Sequence, residues 1–71
     1  MTLGELIKSK RRERDLSQAQ LGELIGGNQM RVSRLENGSA TLTVPEATAL
    51  AAALDVPVGS IVALGARSGA A

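Results

Sequence analysis

The sequence predicts a single all-α domain of five short helices. Three observations carry that prediction. Boxes of the form Ser/Thr-x-x-Glu/Gln at Thr2–Glu5, Ser17–Gln20 and Thr43–Glu46 mark helix starts, because the hydroxyl caps a free backbone N–H and the Glu or Gln reaches back. Apolar residues recur at helical spacing, and no alternating strand pattern longer than three residues occurs. The length of 71 residues holds one small domain, since two would need well over twice as many.

Thr2 opens helix 1, which runs to about Arg14 with Leu3, Leu6 and Ile7 inward. Asp15 stops it, because Asp tolerates a left-handed conformation better than most residues. Ser17 opens helix 2, whose inward residues are Leu21, Leu24 and Ile25, and Gly26-Gly27 ends it. Asn28 caps helix 3, Val32 and Leu35 form its inward stripe, and Asn37-Gly38 closes it. Two helices of about eight to ten residues joined by a Gly turn make a helix-turn-helix pattern. Residues 38–43 form a loop. Thr43 then opens an Ala-rich helix 4 with Pro45 harmless in its first turn and Leu42 placed to staple onto Ala47. Asp55 breaks helix 4 after Leu54, and Pro57 starts a short helix 5 carrying Val58, Ile61, Val62 and Leu64. The domain therefore spans residues 1–64, and residues 65–71 are expected to be a disordered tail with little to bury.

The inventory argues against catalysis. Cys, His, Trp, Tyr and Phe are all absent. Disulfides, thiolate zinc sites and Ser-His or Cys-His pairs are thereby excluded, and no metal or cofactor is expected. Ser17 and Ser33 have no general base, and Lys8 and Lys10 lie on an exposed helix. No apolar run approaches the roughly 20 residues of a membrane span, and no positive segment precedes an apolar block, so a cytoplasmic location is expected. Charge is unevenly placed: residues 1–34 carry +3 and residues 35–71 carry −2. A basic half points mildly to a polyanion, but on charge alone a solvated helix face is the favoured reading.

Leu16-Ser17-Gln18-Ala19-Gln20-Leu21, followed by Val32-Ser33-Arg34-Leu35-Glu36-Asn37-Gly38, resembles the lambda-repressor-like (Xre-like, Cro-type) helix-turn-helix family. The resemblance covers roughly residues 3 to 64, with Leu50, Leu54, Val56 and Ile61 at the late core positions. Two departures stand out. Gly22 replaces the usual Ala at the close contact of the motif helices, at a cost of about 1 kcal/mol of helix stability. Gly27 replaces an apolar residue in the turn.

The resemblance implies that helix 3 enters the major groove of double-stranded DNA, with Gln29, Met30, Ser33 and Arg34 meeting base edges. Arg34 can pair bidentately with guanine, Gln29 with adenine, and Met30 can lie on a thymine methyl. Phosphate contacts are implied for Gln18, Asn28, Arg31, Asn37 and the backbone of Gly38 and Ser39; phosphate is also the alternative for Arg34. For Asn28 and Asn37 the simpler reading is capping. Arg11 and Glu36 resemble a family ion pair tying helix 1 to the end of helix 3, with a phosphate contact as the rival role for Arg11. Val58, Val62 and Leu64 are the expected homodimer surface, against the alternative that Ile61 and Leu64 only cover helices 1 and 4. The whole reads as a transcription regulator, a repressor on a palindromic operator. The alternative is the antitoxin of a toxin–antitoxin pair, or a module using the same fold against protein.

Overall fold

The computed structural model describes the backbone of residues 1–69 and the side chains of residues 1–65. Five helices follow one another: α1 (Leu3–Glu13), α2 (Gln18–Leu24), α3 (Gln29–Asn37), α4 (Val44–Leu54) and α5 (Val58–Gly69). Among the described residues there is no strand. No described helix is long and apolar enough to cross a membrane.

The helix boundaries follow from local chemistry. Thr2, Ser17, Asn28 and Thr43 each cap the helix that follows, and the Thr2, Ser17 and Thr43 boxes are complete in both directions. The first four helices also share one ending. Asp15, Gly26, Gly38 and Asp55 take positive φ, between 55° and 81°. The next residue then donates its N–H to the carbonyl five positions back: Leu16 to Arg11, Gly27 to Gly22, Ser39 to Arg34 and Val56 to Ala51. This is the Schellman closure, and it satisfies carbonyls that a helix end leaves orphaned.

Each helix contributes to one core. Leu3 and Ile7 come from α1, Leu21 from α2 with Ile25 at its end, Val32 and Leu35 from α3, Ala47, Leu50 and Leu54 from α4, and Ile61 from α5. Leu42, just before the Thr43 cap, packs half-buried on the same cluster.

Two expectations about helix faces are corrected. Leu24 is 56% exposed, because Leu21 and Ile25 already fill the inward stripe of this two-turn helix. Helix α5 does not stop at Leu64 but continues to Gly69, while positions 70 and 71 of the expected tail lie outside the described residues. A lone glycine costs a helix about 1 kcal/mol without ending it. Here Gly65 is half-buried, and a Cβ built on it would stand 3.5 Å from Leu42 Cδ2 and 3.8 Å from Leu3 Cδ2. The close packing of α5 on α1 and the 38–43 loop thus carries the helix past its glycine.

Two glycines let helices approach more closely than side chains permit. A Cβ on Gly22 would lie 2.5 Å from the carbonyl carbon and 2.8 Å from the Cα of Asn28. A Cβ on Gly4 would overlap the Glu36 carbonyl oxygen. Gly22 therefore seats the start of α3 on α2, and Gly4 seats α1 on the end of α3.

Candidate nucleic-acid interface

The start of α2 and the first two turns of α3 form a shallow cleft lined by Gln18, Asn28, Gln29, Met30 and Ser33. The Gly22–Asn28 contact sets its width. Gln29 and Met30 are exposed, Met30 at 62%, and Ser33 is half-buried. Arg34 is exposed one turn further on, and its guanidinium makes no hydrogen bond or ion pair among the described residues. Lys8, Arg12 and Arg14 on and after α1 are likewise exposed. Asn28 uses its Oδ1 to cap the Arg31 N–H at 2.9 Å, which leaves its amide donors facing out.

Behind the cleft lies a charged junction. Arg11 Nε donates to Glu36 Oε2 at 2.7 Å and Arg11 Nη2 to Glu36 Oε1 at 3.3 Å, while Arg11 Nη1 reaches the Leu16 carbonyl at 2.8 Å. Their side chains are 11% and 6% exposed. Glu36 Oε1 also accepts from Gln18 Nε2 at 3.2 Å. Gln18 is thus oriented from behind, with its second amide N–H and its carbonyl oxygen left for an outside partner.

Arg31 does not join the outward set. Its Nε and Nη2 each donate to the Glu46 carboxylate at 2.6 Å, and Nη2 also donates to the Thr41 carbonyl at 2.7 Å. This pairing goes unsignalled in the sequence, from which a phosphate role is expected for Arg31. The reason is nonlocal: Glu46 stands 15 positions away, and sequence marks it only as a capping residue. The end of α3 is likewise bonded within the subunit. Gly38 and Ser39 both donate their backbone N–H to the Arg34 carbonyl, and Ser39 also donates N–H and Oγ to Asn37 Oδ1. Those two backbone donors close the helix, and the Asn37 amide nitrogen makes no hydrogen bond among the described residues. At the far end, Val58 and Val62 are 46% and 50% exposed, but Leu64 is half-buried on the core and belongs at least as much to the subunit as to any partner.

The Arg31 fork holds the Glu46 carboxyl well below the usual carboxylate range, at about 2; burial opposes this and hydrogen bonds from Thr43 add to it. Arg31 is raised in turn by Glu46. The folded value of Glu46 lies below the ordinary 4.5, so the stabilisation is fully present above about pH 4.5 and is lost as pH falls toward 2. Side-chain exposures of 29% and 16% mean partial screening, so the expected loss is on the order of 2 kcal/mol. Chemical unfolding at stepped pH should show this slope in the wild type and a shallower one in Glu46→Gln. Equal slopes would place the acid sensitivity elsewhere.

Among the described residues no cluster of three or more His, Cys, Asp or Glu could hold a metal ion. The helix-turn-helix family model (HTH_3) matches residues 7–61. The chain belongs to this lambda-repressor-like, Xre-like helix-turn-helix family, a class of DNA-binding regulatory domains. No curated protein matches it.

Proposed function

We propose that the protein is a sequence-specific transcription regulator, a repressor that occupies a palindromic operator as a homodimer with α3 in the major groove. The observation that carries this reading is the unpartnered polar face of α3. Arg34 and Gln29 stand exposed on a helix whose Arg31, Glu36 and Asn37 side chains are bonded within the subunit. In the proposed complex Arg34 pairs with guanine, Gln29 with adenine, Met30 covers a thymine methyl and Ser33 flanks them. Gln18, Asn28 and Asn37 hold phosphates. One α3 reads only a few base pairs, so specificity requires two copies, and the exposed Val58 and Val62 supply an apolar surface for the two-fold contact.

Selection of bound duplexes from a random pool tests the reading. Half-sites should emerge in inverted repeat with centres about 10–10.5 base pairs apart. A single non-palindromic site would overturn the dimer, and no enriched sequence would overturn specific regulation. On the selected site, Arg34→Ala should cost roughly 1–3 kcal/mol per half-site and relax preference at one base pair. Equal weakening on random and selected DNA would make Arg34 a phosphate contact.

A further inference from the structure

The first turn of α3 is poorly held by apolar packing. Neither Gln29, Met30 nor Arg31 is buried, and the helix enters the core only through Val32 and Leu35. It packs on α2 and α1 and has little backbone contact with α4. Arg31 spans that gap. Its planar fork meets both carboxylate oxygens of Glu46 at 2.6 Å and the Thr41 carbonyl at 2.7 Å. Glu46 is itself fixed, accepting from the Thr43 N–H and hydroxyl at 3.0 Å each. One guanidinium therefore joins the reading helix, the 38–43 loop and the start of α4.

We propose that Arg31 and Glu46 are positioning residues for DNA recognition: their fork sets the rotation of α3 against the loop and α4, and touches neither base nor phosphate. The inference rests on the DNA-binding reading above and assigns a new role within it. Arg31 neighbours Met30 in sequence and lies three residues before Arg34, so a small rotation of α3 displaces every base-facing tip together. Bidentate base contacts tolerate little displacement, since hydrogen bonds weaken steeply with angle. Phosphate attraction, being largely a matter of charge, tolerates more. Loss of the fork should thus damage discrimination more than affinity for DNA in general.

The test compares wild type, Arg31→Met, Glu46→Gln and the double variant, each confirmed folded by circular dichroism, on the selected duplex and on a random-sequence duplex over a salt series. Each single variant should lower the selected-over-random affinity ratio about 10-fold, with the double variant no worse, because the two residues act as one unit. The salt slope should stay at its wild-type value, since no phosphate contact is lost. If Arg31→Met fails to fold, Arg31→Lys keeps the charge but not the fork and should lower the ratio about 3-fold. A folded variant with the wild-type ratio overturns the proposal, as does equal weakening on both duplexes. A salt slope reduced by about one per subunit in Arg31→Met, with Glu46→Gln binding normally, overturns it in favour of a phosphate contact. A wild type that does not distinguish the duplexes overturns the regulatory reading and this role with it; a wild type that does, beside variants that match it, overturns this role alone.

Discussion

Glu36→Ala is expected to leave most of the chain unfolded at room temperature. Arg11 is 11% exposed at its side chain and donates two of its three guanidinium hydrogen bonds to Glu36. Removing one partner of such a pair strands the other charge away from water, at roughly 3–5 kcal/mol. A core of this size without disulfides or metal supplies roughly that much stability in all, so the deficit is decisive. Replacing both partners by apolar residues is a different experiment. Arg11→Met with Glu36→Leu removes the stranded charge and should fold about as well as wild type, since buried ion pairs often break even against hydrophobic replacements. The double variant still loses the acceptor that orients Gln18, so its affinity for DNA should fall while its unfolding midpoint holds. Urea unfolding followed by circular dichroism separates the outcomes. A Glu36→Ala protein with a wild-type midpoint would mean that water screens Arg11 well enough to dispense with its partner.

The features legible in the sequence are those whose physics is local. A cap needs only a Ser, Thr or Asn and the few N–H groups after it, and Thr2, Ser17, Asn28 and Thr43 all cap as their neighbours require. The left-handed endings at Asp15 and Asp55 are local in the same sense. The cleft residues of α3 share a face because helical spacing puts them there, and Gln18 joins them through the turn geometry. What sequence does not reveal is set by contacts between distant segments. Arg31 reads as a phosphate-contacting cation, and nothing near it in the chain announces Glu46 as its partner. Leu64 reads as surplus surface until it packs on the core, and Gly65 reads as a stop until Leu3 and Leu42 surround it. Gly4 gives no signal at all, because its function lies in what the end of α3 does against it.

Substitution of the close-contact glycines should reverse the sign that helix propensity alone predicts. Propensity favours Ala over Gly by about 1 kcal/mol inside a helix, so Gly22→Ala would stabilise if α2 stood alone. In the folded chain the new methyl would lie 2.5 Å from backbone atoms of Asn28, which cannot swing away as a flexible side chain would. Overpacking of this kind costs about 1–3 kcal/mol or more, so the net change is a loss, with the midpoint falling by about 4–8 °C for each kcal/mol. Gly4→Ala should be worse, with the protein close to unfolded. Its methyl would overlap the Glu36 carbonyl oxygen, and Gly4 lies in the first turn of α1, where the propensity gain is smallest. Relief would require moving the residue that holds both Arg11 and Gln18. Gly59, in the first turn of α5, supplies the control: nothing lies within 4 Å of a Cβ built there, so Gly59→Ala should raise the midpoint or leave it unchanged. Thermal melts of the three variants decide between local and tertiary control. A rise for Gly22→Ala equal to that for Gly59→Ala would mean that α3 shifts freely on α2, and a reading helix so loosely seated could not hold Gln29 and Arg34 in the register that base recognition demands.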